Sequence, residues 1–240
     1  MGILAALAMT SVLDASWVET GQFFRNGGAF GDQFTTQLAF DGDVAVVGEA
    51  FTGSVYVFTR SGNTWTWTAT LMASNGDAFF GTRVAISGNV IAIAGGYGVY
   101  VFLRPAGGWT GTLTENARLE GGFGRVAFAG TSIAAPISSG IGVFNEPSSG
   151  WSGTVPASAI LFPSDEANPG SDSYGSSLAG SADVIVVAAA EVPTGGHIDA
   201  GEAYVFVEPP GGWSGVLTES ARLFPSDSAD YIFFGQAVAV

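Results

Sequence analysis

Val99-Tyr100-Val101-Phe102-Leu103-Arg104-Pro105-Ala106-Gly107-Gly108-Trp109 decides the architecture, because its pattern returns three more times. Val55-Tyr56-Val57-Phe58 leads to Trp65, Ile141-Gly142-Val143-Phe144 to Trp151, and Ala203-Tyr204-Val205-Phe206 to Trp213. The tryptophan follows the phenylalanine by seven residues in every copy. Four identical spacings in a chain with 6 tryptophans describe a repeated hairpin. Bridging turns such as Arg104-Pro105-Ala106-Gly107-Gly108 and Glu208-Pro209-Pro210-Gly211-Gly212 use proline to fix φ and glycine to supply positive φ, so register is set locally.

Outward from the hairpin, an aromatic-glycine pair opens each unit: Phe30-Gly31, Phe80-Gly81, Phe123-Gly124, Tyr174-Gly175 and Phe234-Gly235. Successive pairs lie 50, 43, 51 and 60 residues apart, a period typical of repeat architectures. Each unit then reads as a strand (Val84-Ala85-Ile86), a short turn (Ser87-Gly88-Asn89), an apolar strand (Val90 to Ala94), the Tyr-Val-Phe strand, the hairpin and a post-tryptophan strand. That last strand is clearest in Trp109 to Leu119 (WTGTLTENARL) and Trp213 to Leu223 (WSGVLTESARL). The second strand is almost continuously apolar in Val44 to Val47, Val90 to Ala94 and Val184 to Ala190, which requires burial on both faces.

These features predict an all-β chain, a β-propeller of four-stranded antiparallel blades, with a β-sandwich as the alternative. The expected organisation is a signal peptide or plain N-terminal extension at 1–15, the last strand of a preceding blade at 16–29, and repeats at 30–79, 80–122, 123–173 and 174–233. A truncated fifth repeat covers 234–240. Four full blades with partial ones at both ends form an incomplete ring, and its open strand edges predict self-association of the isolated segment.

Composition narrows the function. The 240 residues carry 21 acidic side chains against 7 basic ones, all arginine and singly scattered, which argues against a nucleic-acid partner. There is no cysteine, hence no disulfide frame, thiolate nucleophile or cysteine metal cage. No apolar run reaches the length of a membrane-spanning helix, so membrane insertion is not expected. The lone histidine, His197, sits in a glycine-rich loop and reads as a solvated residue; no serine is singled out to pair with it. Glu115, Glu191, Glu202 and Asp199 could supply paired carboxylates for glycoside chemistry, but nothing in the sequence selects among them.

The aromatic-glycine start, the strand that follows it and the apolar second strand resemble FG-GAP repeats, the blades of integrin α-subunit propellers and of many bacterial surface proteins. The Phe-Gly half holds in four of five pairs, Tyr174 being the exception; of the small-residue half, only Pro136 keeps the proline. The resemblance implies a propeller and, in many members, calcium held in an aspartate-rich loop between the first two strands. Here those loops are Asp41-Gly42-Asp43, Ser87-Gly88-Asn89, Gly130-Thr131-Ser132 and Gly180-Ser181-Ala182-Asp183, too short and too poor in oxygens for Ca²⁺. Asp41 and Asp43 therefore read as turn formers. The acidic stretches Ser164 to Asp172 and Ser226 to Asp230 read as solvated connections.

No catalytic, cofactor-binding or metal-ligating residue is assigned, and no cofactor is expected. The repeated tryptophans read as packing between blades rather than as sugar platforms. The functional expectation is a non-catalytic extracellular or cell-surface scaffold for adhesion or for binding a protein or carbohydrate. Its alternatives are the propeller part of a secreted carbohydrate-active enzyme, or a purely structural repeat of a larger surface protein. The loops Glu191 to Gly201 and Asp165 to Ser173 vary most and are the expected ligand face.

Overall fold

The computed structural model describes residues 33–50, 52–165, 173–227 and 229–240. The expectations for 1–15 and 16–29, the Phe30-Gly31 pair and residues 166–172 lie outside the described residues. The described residues are all-β. The first unit gives β1 (Gln33–Asp41), β2 (Val44–Ala50), β3 (Ser54–Ser61) and β4 (Thr64–Met72). The second gives β5 (Arg83–Ser87), β6 (Val90–Ala94), β7 (Val99–Leu103), β8 (Gly111–Thr114) and β9 (Ala117–Leu119). The third gives β10 (Ala127–Ala129), β11 (Ser132–Ile137), β12 (Gly140–Phe144), β13 (Gly153–Val155) and β14 (Ala159–Leu161). The fourth gives β15 (Tyr174–Ser181), β16 (Val184–Ala189), β17 (Glu202–Val207), β18 (Gly215–Leu217) and β19 (Ala221–Leu223).

These strands form four sheets, one per unit, but three of the sheets are not four-stranded. Their orders are β1-β2-β3-β4-β8, β5-β6-β7-β9-β13, β10-β11-β12-β14-β18 and β15-β16-β17-β19. Each fifth strand comes from the following unit and runs parallel to its neighbour, Ala69 pairing with Gly111, Ala117 with Gly153 and Ala159 with Gly215. The expected single strand from Trp109 to Leu119 is thus two strands. Its first half edges the preceding sheet, and its second half closes its own.

The cause of this split is a glycine two residues after the tryptophan. Gly111, Gly153 and Gly215 have φ of +71°, +62° and +69°, a left-handed conformation that costs most other residues about 1 kcal/mol or more. The bend sends the chain across to the neighbouring sheet. Upstream, Gly108, Gly150 and Gly212 each donate an N–H to the carbonyl of Pro105, Pro147 or Pro209 at 2.8 Å, one turn repeated three times. The first unit has Ser61 in place of the proline and Trp67 in place of the glycine, and there β3 and β4 zip into one long hairpin.

Alternation along the second and third strands stacks the sheets in chain order. Ile91 and Ile93 join Val46, Val55, Val57 and Leu71 between sheets one and two, with Tyr100 and Phe102. Ala92 and Ala94 point the other way, meeting Ile133, Ala135 and Phe144 between sheets two and three. Ala134, Ile141 and Val143 then meet Ile185, Val187 and Phe206 between sheets three and four. Successive residues therefore serve opposite interfaces, which is why the second strand reads as an unbroken apolar run. Trp109, Trp151 and Trp213 are each at most 2% exposed, and one lies in each of these three interfaces.

The first turn of each unit is equally regular. Gly42, Gly88 and Gly130 have φ between +56° and +58°, and the fourth unit places Ala182 there at +46°. A Cβ in this region is strained, so Ala182→Gly is expected to stabilise the chain by about 0.5–1 kcal/mol in urea unfolding. The same substitution at Ala179, inside β15, is expected to destabilise it.

Candidate functional site

One set of charged residues gathers at the sheet ends where the first strand begins and the second strand turns into the third. There the third-strand tyrosine meets a carboxylate in three of the four units. Tyr56 Oη donates to Glu49 at 2.8 Å, Tyr100 Oη to Asp77 at 2.9 Å and Tyr204 Oη to Asp165 at 3.2 Å. Asp77, 1% exposed, also accepts backbone N–H groups of Phe79, Gly96 and Tyr97. Burial opposes its ionisation, but these three amides and the Tyr100 hydroxyl outweigh that penalty and hold the carboxyl below its ordinary value. Burial together with Asp77 pushes the Tyr100 hydroxyl up to about 12.

An arginine on the neighbouring strand covers two of these tyrosines. Arg118 lies 5.1 Å above Tyr100 and pairs with Glu115 at 2.7 Å. Arg222 lies 5.6 Å above Tyr204, pairs with Asp165 at 2.7 Å and also bridges to buried Glu202. Glu202 further accepts a hydrogen bond from Thr194 at 2.9 Å.

A serine latch joins consecutive units at the same end. Glu115, between β8 and β9, accepts both the N–H and the hydroxyl of Ser74 at 2.9 and 2.8 Å. Glu219 does the same for Ser164 at 2.9 and 2.6 Å. At the junction of the second and third units Ala157 stands in the glutamate's place and Gly122 in the serine's, while Gly142 replaces the tyrosine and Ile160 the arginine. All four polar partners are lost together, so these groups act as one packing device between units. A double-mutant cycle of Ser74→Ala and Glu115→Ala is expected to give a coupling of about 1 kcal/mol, and additive effects would count against the latch.

The sequence-derived candidates fall into this picture separately. Glu115 and Glu202 lie in different units, and each is engaged by an arginine. Glu191 accepts a hydrogen bond from Ser173 at 2.7 Å. Asp199 adopts φ +51° in its loop, and the carbonyl of that residue accepts the N–H of Phe233. His197 Nδ1 lies 3.2 Å from Asp230 Oδ1, with both side chains about half exposed. Among the described residues, no group of three or more His, Asp or Glu side chains is placed to hold a metal ion. No described helix is long and apolar enough to cross a membrane.

The first-turn loops of the first two units line a cavity of about 450 Å³ with Asp41, Asp43, Arg60, Gly88, Asn89 and Arg104, and both carboxylates are already engaged. Asp43 pairs with Arg60, which lies 5.6 Å over Trp65, and Asp41 accepts the N–H of Gly88 in the neighbouring sheet. The acidic connections are not simply solvated. Asp165 is held by Arg222 and Tyr204, a correction that sequence could not supply because the partners are 39 or more residues away. Asp230 accepts the backbone N–H of Ile198 at 3.0 Å and so ties its segment to the 191–201 loop.

Two further surfaces among the described residues are open to a ligand. At the loop end, Phe79, Tyr97, Phe123, Ile198, Tyr231 and Ile232 are all exposed, Tyr97 by 76%. Antiparallel pairing places the first-strand entry and the second-to-third loop at the same end of each sheet, so these apolar side chains decorate one rim. Tyr231 donates its N–H to Ile198 at 2.8 Å, which fixes two of them side by side. The second surface is a cavity of about 230 Å³ where the first strands of all four sheets meet, lined by Gln37, Arg83, Arg125 and Ser177 together with Val84, Val126 and Leu178.

No protein-family model matches the chain, and no curated protein does. Among solved structures, the chain is similar to the Myxococcus xanthus glutaminyl cyclase at 14% identity and a TM-score of 0.31. That likeness spans 63% of this chain and 66% of the cyclase.

Proposed function

We propose that the chain is a non-catalytic β-propeller segment of the FG-GAP type, extracellular or on the cell surface, that binds a protein or carbohydrate ligand through its loop rim. The observation that carries this reading is the row of exposed aromatic and aliphatic side chains on one end of successive sheets. Isolated exposed apolar residues are ordinary, but a row at one functional end of a repeat array is the pattern of a binding face. The propeller geometry is supported by sheets stacked in chain order around first strands that share one cavity.

Support for the non-catalytic character comes from the spent chemistry of the polar groups. Asp77, Glu115, Asp165, Glu202 and Glu219 each serve a hydrogen bond or ion pair that joins units or loops. The enzyme reading keeps one specific observation, the exposed pair of His197 and Asp230 at the same rim.

An immobilised panel of polysaccharides and matrix proteins tests the proposal. The wild-type chain is expected to bind at least one panel member, and Phe79→Ser with Tyr97→Ser, or replacement of Gly195 to Asp199 by a short turn, is expected to abolish binding. Binding that survives both changes contradicts the rim assignment. Turnover of a bound polysaccharide, lost on His197→Ala, supports the enzyme reading instead.

A further inference from the structure

Gln37, Arg83, Arg125 and Ser177 come from four different sheets, yet they occupy one repeat position. Each lies five residues before the first-turn residue Gly42, Gly88, Gly130 or Ala182 and immediately precedes an apolar residue, Leu38, Val84, Val126 or Leu178; in the third unit the position falls just ahead of β10. Because the first strands are the innermost ones, with β1 against β5, β5 against β10 and β10 against β15, that position points into the shared cavity from every side.

Two of the four residues are arginines that face each other. Arg60, Arg118 and Arg222 are each paired with a carboxylate, whereas neither Arg83 nor Arg125 has an acidic partner among the described residues. Arg83 spends one N–H on the carbonyl of Thr82 at 2.6 Å. In a chain with 21 acidic side chains, two cations held together in a cavity with no acid in its lining among the described residues are an uncompensated charge. Burial, and then the Arg83 charge, hold the Arg125 guanidinium below its ordinary value, the direction that mutual repulsion requires.

Ser177 adds a neutral donor. Its Oγ accepts the N–H of Val238 at 3.1 Å, which leaves the hydroxyl proton to donate. Guanidinium forks match the geometry of carboxylate and phosphate oxygens, and two of them with a hydroxyl present a converging donor set. A neutral or cationic ligand would leave the repulsion in place, while an oxyanion removes it.

We infer that the cavity where the four first strands meet is an anion site in which Arg83, Arg125 and Ser177 bind the carboxylate or phosphoryl group of a small ligand. This goes beyond the rim reading, since it concerns the axis of the molecule and stands whether or not the rim binds anything.

The test is thermal unfolding of the full chain in increasing sodium malonate, phosphate or sulfate, with ionic strength held constant by sodium chloride. Wild type is expected to show a saturable rise in Tm, about 5–10 °C at a hundredfold excess over Kd. Arg83→Gln and Arg125→Gln are expected to equal or exceed the wild-type Tm without ligand, because each relieves the repulsion, and to weaken the anion response at least tenfold. Arg125→Lys keeps the charge but loses the fork, so an intermediate response is expected and guards against a simple folding defect. Saturation by malonate alone identifies a carboxylate ligand, and saturation by phosphate and sulfate identifies a phosphoryl group. A wild-type Tm that follows ionic strength only, or a response unchanged in both glutamine variants, overturns the inference.

Discussion

Trp213→Ala is expected to destabilise the chain by about 3–5 kcal/mol, the range for removing a large buried aromatic side chain. Trp213 is 1% exposed and packs with Ile185, Val187, Tyr204 and Phe206 of its own unit and Ile141 and Val143 of the preceding one. It also anchors the segment that carries Gly215 across to β14, so the cavity opens at the point where two sheets are joined. Trp109→Ala and Trp151→Ala are expected to behave alike, since each fills the equivalent interface. The indole N–H groups of all three make no hydrogen bond among the described residues, so Trp213→Phe loses volume but no such bond and should cost only about 1–2 kcal/mol. Trp67, 46% exposed, provides the contrast; its indole donates to the Ala69 carbonyl and its ring meets Tyr56 edge-on, so its replacement by alanine is expected to cost about 1–2 kcal/mol, less than that of a buried tryptophan. Urea unfolding of these variants is decisive, and similar losses for Trp213→Ala and Trp67→Ala would contradict the interface role.

Asp77→Ala is expected to cost about 3 kcal/mol or more, because it strands four donors rather than one. The N–H groups of Phe79, Gly96 and Tyr97 and the Tyr100 hydroxyl all point at this carboxylate, in a site closed by Phe80 and Gly95. A buried donor left unpaired loses about 1–3 kcal/mol, and only partial relaxation is available here. Asp77→Asn keeps one acceptor oxygen but turns an amide group toward donors, so its loss is expected to fall between alanine and wild type. The pH dependence has a definite sign. A carboxyl held below its ordinary value of 3.8 adds stability above that value, and this contribution disappears as pH falls toward the lower folded value. Wild type should therefore lose stability more steeply than Asp77→Ala as pH drops through that window. Parallel curves for the two would remove Asp77 from the account.

The parts of this architecture governed by local rules are legible in the sequence. Pro105, Pro147 and Pro209 with the glycines that follow mark the repeated turn, and the apolar runs at Val90 to Ala94 and Val184 to Ala190 mark strands buried on both faces. The split of the post-tryptophan strand also has a sequence signal, Trp-Thr-Gly or Trp-Ser-Gly in three units against Trp65-Thr66-Trp67 in the first. That signal marks a left-handed residue but does not say which sheet the chain turns toward. Register across separate sheets is set by side-chain packing over tens of residues, and no local pattern encodes it.

The same distinction explains the site. Tyr56, Tyr100 and Tyr204 are visible as a repeated position, but their carboxylates are supplied by different segments, so Asp77 and Asp165 look like loop residues until the fold brings them in. The Arg83 and Arg125 pair is hidden differently. Both precede a valine at the same distance before the first turn, but scattered single arginines look unrelated until four sheets converge and one repeat position becomes one cavity. His197 reads in the sequence as a solvated loop residue, and in the fold it is about half exposed with Asp230 beside it.

Residue-resolved amide hydrogen exchange tests the central claim most directly, namely that the post-tryptophan segments of the second, third and fourth units are each shared between two sheets. The pairing of Gly111–Thr114 with β4, Gly153–Val155 with β9 and Gly215–Leu217 with β14 predicts slow exchange in both halves of each segment. Trp213→Ala should release the Gly215–Leu217 amides first, together with the edge of β14. Free exchange at Gly111–Thr114, Gly153–Val155 and Gly215–Leu217 in the wild type, alongside protected β9 and β14, would contradict the shared-strand arrangement and leave four independent sheets.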